Sequence, residues 1–240
     1  MIDWLRKEIS DPHVEIAGHS LPLAIRRNAR AKRLTMRLAP DGSEVRVTMP
    51  RWGRTVDALA FAHARSEWLA EQLCKVPQRQ EIVPGASLPF RGNDLLIEWR
   101  ADAPRQPRLE GNALVCGGPL PALDARLRRW LEGQALDLFA NDLDYYCGRA
   151  GLDLPDLRIS RARRRWGSCS GKRCIRLNWR LVMAPCPVRR SVVAHEVAHL
   201  VHFDHSPAFH ALLGDLYEDD VSAADRWLKA NGAGLYALFA

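Results

Sequence analysis

The sequence predicts an α+β fold, and three observations carry that prediction. Short alternating apolar runs separated by turn residues fill the first half, one long amphipathic stretch occupies residues 123–149, and a histidine-bearing helix follows a β-hairpin in the last third. With 240 residues, 47% of them hydrophobic and 26% charged, the chain can bury a core without disulfides, and disorder is excluded for most of it.

Taken in order, Arg33 to Arg37 and Glu44 to Met49 alternate apolar and charged residues around Pro40-Asp41-Gly42-Ser43, a hairpin pattern with Leu34, Met36, Leu38, Val45 and Val47 facing inward. Thr55 is placed to cap one helix carrying Val56, Leu59, Ala60, His63, Trp68, Leu69 and Leu73, which should end before Pro77. From Ala86 to Leu114, apolar runs broken by Gly92-Asn93-Asp94, Ala103-Pro104 and Gly111-Asn112 read as a small antiparallel meander. The helix from Leu123 to Arg149 presents Leu127, Trp130, Leu131, Leu138, Phe139 and Tyr145 at core-like spacing and reads as scaffold. Leu157-Arg158-Ile159 opens a strand, Gly167 to Lys172 supplies a loop, and Cys174 to Val182 alternates as a return strand whose polar face carries Asn178 and Arg180. A further helix is expected to start near Val188, and no internal repeat is visible.

The formal charge is +7, and the cationic excess is arginine, since Lys7, Lys32, Lys75, Lys172 and Lys229 are the only lysines. Runs such as Arg30 to Arg33 and Arg161 to Arg165 suit phosphate, so a nucleic-acid partner is one expectation and a solvated surface the other. Six scattered cysteines without a C-x-x-C pair read as reduced thiols. No run approaches the roughly 18 apolar residues of a membrane span, and the charged start has no signal-peptide core, so a soluble cytoplasmic protein without membrane association is expected.

Five of the eight histidines fall between positions 195 and 210. His195-Glu196-Val197-Ala198-His199 puts two imidazoles one helical turn apart on one face, where both reach a single ion with Glu196 beside them. His205 follows after enough chain for the helix to end and turn back, and Ser206-Pro207 reads as an N-cap and first residue of a new helix. Three neutral imidazoles on one Zn²⁺ per chain leave a fourth position for water, and Glu196, outside the ligand set, can take that water's proton. His202 is expected to face solvent, and His210 to line the cleft or pack at the surface. His210 and Tyr217 are the candidates for an oxyanion donor.

Arg165-Trp166-Gly167-Ser168-Cys169-Ser170, Leu177-Asn178-Trp179-Arg180-Leu181, the His195 to His199 pentad and His205-Ser206-Pro207-Ala208-Phe209 together resemble the YgjP-like metallopeptidases, relatives of the SprT-type zinc proteases. Arg30 to Arg37 with Pro40-Asp41-Gly42 resembles that family's N-terminal hairpin, so the similarity spans residues 24–231. The resemblance implies a β-rich N-terminal subdomain over 12–116 followed by a zincin-like catalytic subdomain over 120–240. It also implies His195, His199 and His205 as zinc ligands and a catalytic Glu196.

The reading that follows is a cytoplasmic zinc metallopeptidase acting on a protein or peptide, with a zinc-bound water activated by Glu196. The peptide would be held as an added strand along the hairpin of residues 156–182, where Asn178, Arg180 and His210 are substrate-binding candidates. Three alternatives remain open at this level. The same metal could hydrolyse nucleotide phosphoanhydrides with Arg161, Arg163, Arg164 and Arg165 on the phosphates, the protein could be a DNA-associated SprT-like protease, or the zinc could be structural.

Overall fold

The computed structural model describes residues 11–39, 42–76, 80–163 and 165–239. The chain forms two compact units, Met1–Gln78 and Arg79–Ala240. In the second unit Leu88, Ile97 and Leu114 share one apolar core with Leu127, Leu131 and Phe139 of the long helix. Among the described residues no helix is long and apolar enough to cross a membrane, and all six cysteines are free.

In the first unit, β1 (His13–Ile16), β2 (His19–Arg27), β3 (Thr35–Leu38) and β4 (Val45–Met49) form one sheet in the order β1-β2-β4-β3. The β3–β4 hairpin matches expectation, although Pro40 and Asp41 of its turn lie outside the described residues. β1 and β2 were not anticipated; the turn between them sets Ala17 and Gly18 at φ 49° and 80°, the left-handed pair that matches the twist of a two-residue hairpin. The expected single helix is two, α1 (Thr55–His63) and α2 (Ser66–Cys74), because the backbone leaves the helical region at Arg65 (φ −124°, ψ 24°). The cap of α1 is Arg54 with Asp57 rather than Thr55, whose hydroxyl instead accepts from Arg27. Val14, Ile16, Leu23, Val45, Val47 and Met49 pack with Ala58, Ala62 and Leu69 of the helices.

The second unit opens with β5 (Ser87–Phe90), β6 (Asn93–Trp99), β7 (Arg108–Glu110) and β8 (Ala113–Cys116) in the order β5-β6-β8-β7. This is not a meander, since β6 and β8 run parallel. It repeats the first sheet: strand order and pairing directions are the same, Arg91-Gly92 take φ 54° and 82° where Ala17-Gly18 take 49° and 80°, and Leu88, Phe90, Ile97, Leu114 and Cys116 are buried where Val14, Ile16, Leu23, Val45 and Val47 are. Helix α3 (Leu123–Ala150) covers the expected stretch and stops at Gly151, whose φ of 65° is the left-handed C-cap conformation.

A three-stranded sheet follows, β9 (Asp156–Ser160), β10 (Gly167–Ser170) and β11 (Cys174–Asn178), in the order β10-β11-β9. The expected loop at Gly167 is thus an edge strand antiparallel to β11, while β9 runs parallel on the other side. The return strand ends at Asn178, whose side chain accepts from the Arg180 N–H and starts a 3₁₀ turn over Trp179–Val182, so all four of those residues are buried instead of alternating. Helix α4 (Cys186–Ala198), with Pro187 in its first turn, packs against α3, β10, β11, α5 (Pro207–Leu216) and α6 (Val221–Ala237).

Candidate metal centre

Helix α4 is wrapped by other elements, which is why it is almost wholly buried and why its C-terminus can present polar groups inside the fold. His195 and Glu196 lie in its last turn and His199 caps it; the chain then turns through residues 200–205 and re-enters a helix at Ser206, whose hydroxyl accepts from the Phe209 N–H as the sequence predicts. That return brings His205 to the first two histidines, so one ligand atom from each of the three lies within 4.8 Å of the others. Nε2 of His205 and Nε2 of His195 are 3.3 Å apart. Two nitrogens on one tetrahedral ion at about 2.0–2.1 Å would stand roughly 3.3–3.4 Å apart, so these two rings are already spaced for a shared metal.

The ring of Phe209, fully buried, organises the cluster: its centroid is 5.0 Å from that of His195, 4.6 Å from His199 and 4.8 Å from His205. Nδ1 of His199 donates to the backbone oxygen of His202 at 2.9 Å, which leaves Nε2 with its lone pair for a metal. His202 therefore contributes a carbonyl and not its side chain, and a carbonyl carries no signal in a sequence. Burial, followed by the neighbouring rings of His199, His205 and His210, holds the His195 pKa down to about 4, so the ring is neutral and able to ligate at physiological pH.

Glu196 is 5% exposed and its Oε2 has no hydrogen-bond partner. Burial pushes its pKa up to about 7, with Arg165 acting in the opposite sense. A carboxyl group tuned to that range is suited to take and return a proton near neutral pH. Its side chain lies against Gly167 at the start of β10, so close that no Cβ fits there. Beside it a cavity of about 460 Å³ is lined by Trp166, Ser191, Val192, His210, Leu213 and Leu228, among others, and is mainly apolar.

His210 is thus part of the cleft, but the other two substrate candidates are not. Asn178 is fully buried, and its amide donates to the Ala162 carbonyl at 2.7 Å and to the Tyr236 hydroxyl at 2.9 Å. Arg180 is buried too, donating to the Phe239 carbonyl at 3.0 Å with its guanidinium over the rings of Trp179 and Tyr236. Asn178 ends β11 and caps the 3₁₀ turn in which Arg180 lies, and it is Asn178 that braces the segment before β10: its N–H donates to the Trp166 carbonyl at 2.7 Å. Tyr217 is likewise withdrawn, its hydroxyl donating to the Pro187 carbonyl at 2.9 Å and its pKa pushed up to about 12 by burial. Of the arginine run, Arg161 forms a bidentate pair with Glu132 at 2.9 and 2.8 Å, Arg164 lies outside the described residues, and among the described residues no arginine lines the cavity beside Glu196.

Residues 32–231 match the model of the YgjP-like metallopeptidase domain. The match covers most of the chain, so the chain belongs to the YgjP-like family, whose class is that of metal-dependent peptidases. Neither the curated proteins nor the solved structures give a match.

Proposed function

We propose that the chain is a zinc-dependent peptidase in which His195, His199 and His205 hold the ion and Glu196 is the catalytic base. The observation that carries the proposal is the 3.3 Å approach of two imidazole nitrogens beside a buried carboxylate oxygen that has no partner. The residues fit Zn²⁺: three nitrogen donors, one with its tautomer set by a backbone carbonyl, are the set used where a fourth position is kept open. When bound, such an ion lowers the pKa of a coordinated water and polarises a carbonyl.

Glu196 accepts a proton from the attacking water and passes it to the leaving amine, a task that matches its raised pKa. The outer edge of β10 has no partner strand among the described residues and begins at Gly167, against Glu196. An extended peptide pairing with that edge would carry its backbone past the carboxylate, and the adjoining cavity would take an apolar side chain.

The test is metal content together with turnover. Wild-type protein should carry one zinc per chain and cleave casein, His199→Ala should lose the metal and the activity, and Glu196→Gln should keep the metal and lose the activity. Zinc with nucleoside triphosphate hydrolysis and no casein cleavage would replace the peptidase by a phosphoanhydride hydrolase, and unchanged turnover in Glu196→Gln would make the metal structural.

A further inference from the structure

A second cavity, of about 570 Å³, lies between the loop that joins β6 to β7 and one face of α3. The helix contributes Arg126, Arg129, Trp130, Gly133, Gln134 and Asp137, spaced as a single stripe, and the loop contributes Arg105. It shares no lining residue with the cavity beside Glu196. A stripe of this kind on a scaffold helix is ordinarily apolar or laced with ion pairs. Here the lining holds three arginines and a single carboxylate residue, Asp137.

The arginines are gathered without being neutralised. Arg126 donates to the carbonyls of Gly117 and Pro119 at 2.6 and 2.7 Å, both uncharged acceptors. Gly118 between them adopts φ 84°, and a Cβ there would fall 2.3 Å from Nη1 of Arg126 and 3.0 Å from Cγ of Arg105, so both side chains converge on that glycine. Arg105 and Arg129 are exposed and make no ion pair or hydrogen bond among the described residues. Trp130, half-buried with its ring 5.0 Å from that of Phe90, supplies an aromatic wall, and Gly133 leaves the space next to it open.

We propose that this groove binds a phosphate ester with a flat or apolar body. Three arginines lining one groove favour a dianionic phosphate over a single carboxylate, the volume exceeds what a bare ion needs, and the indole gives the remainder of the ligand a surface to pack on.

Calorimetric titration of the full-length, metal-loaded protein with phenyl phosphate and with inorganic phosphate tests this. Phenyl phosphate should bind one per chain, about tenfold more tightly than inorganic phosphate, and about tenfold or more weakly to the Arg105→Gln/Arg129→Gln double variant than to wild type. Both arginines are exposed and unpaired, so the fold should tolerate their loss; the single Arg129→Gln variant, expected to weaken binding in the same direction, provides the second measurement. Binding should be unchanged in His199→Ala, which separates the groove from the metal centre. The proposal is overturned by no binding at millimolar phenyl phosphate, by equal affinity for inorganic phosphate, by affinity that survives loss of both arginines, or by binding that disappears with His199.

Discussion

Gly167 and Glu196 are packed so closely that a Cβ on the glycine would lie 2.4 Å from Oε1 and 2.7 Å from Cγ of the glutamate. The glycine is there for the carboxylate and not for its own backbone, since its φ is not in the left-handed region. Gly167→Ala should therefore leave β10 intact and push the Glu196 side chain aside. Displacing a catalytic group by about 1 Å costs on the order of a hundredfold in rate. The expected result is a fall in kcat of that size on a peptide substrate, with zinc content and thermal stability close to wild type. Normal turnover in Gly167→Ala would remove Glu196 from the chemistry.

Phe209 sets the spacing of all three imidazoles, so its removal should act on the metal as well as on the fold. Phe209→Ala opens a cavity in a fully buried position, a loss of about 3–5 kcal/mol in chemical denaturation. Because the rings of His195, His199 and His205 lose their common support, zinc affinity measured against a competing chelator should fall as well. Phe209→Leu, which refills part of the space, should recover more stability than metal affinity, since a smaller side chain does not restore the ring contacts.

The clustering of His195, His199 and His205 was legible in the sequence because these residues are spaced along the chain in local patterns. Two histidines one turn apart and a third just before a Ser-Pro helix start are local patterns, and α4, α5 and their junction follow from them. The hairpin of β3 and β4 and the length of α3 were legible for the same reason. What failed depends on long-range context. Asn178 and Arg180 continue a perfect alternation, yet the Asn178 side chain captures the Arg180 N–H and turns the strand into a 3₁₀ turn, so a polar face read as a substrate surface is an internal brace. The repeated four-stranded sheet was invisible because the equivalent positions, Val14 and Leu88 or Ile16 and Phe90, share burial and not identity. The contacts that aim the site, the His202 carbonyl and the Gly167 gap, belong to backbone and leave no side-chain signature.

The Asp142–Arg189 pair ties α3 to α4, the helix that carries the site. Arg189 Nε and Nη2 donate to the two carboxylate oxygens at 2.7 and 3.2 Å, and both side chains are at most 10% exposed. Asp142→Ala would leave a buried guanidinium with its charge uncompensated, an expected loss of about 3–5 kcal/mol. Removing both charges with Asp142→Leu and Arg189→Met should cost much less, because an apolar pair of similar volume avoids desolvating two ions. Urea denaturation of the three proteins decides it; a double variant as unstable as Asp142→Ala would show that the pair holds the fold by shape and not by charge compensation.

Helix α6, which seats Trp166 against Gly232 and Tyr236, depends on Asp220 at its start. The Asp220 carboxylate accepts from the Ser222 N–H at 2.7 Å and from Arg226 at 3.3 Å, and backbone N–H groups of Ala223 and Ser222 hold its pKa below the usual value of 3.8. A carboxyl group whose pKa is depressed on folding binds fewer protons in the folded state than in the unfolded one as the pH falls through that interval. Its contribution is therefore complete above the ordinary aspartate range and is lost as the pH drops through the depressed value. Asp220→Ala should lower Tm at neutral pH by about 2–4 °C, and the deficit should shrink toward about pH 3. Asp220→Asn keeps a capping oxygen and loses the charge, so its Tm should stay closer to wild type at neutral pH and should lack the acid-dependent part. Thermal melts of the three proteins across that range separate hydrogen bonding from charge, and a deficit in Asp220→Ala that is the same at both ends would assign the cap to geometry alone.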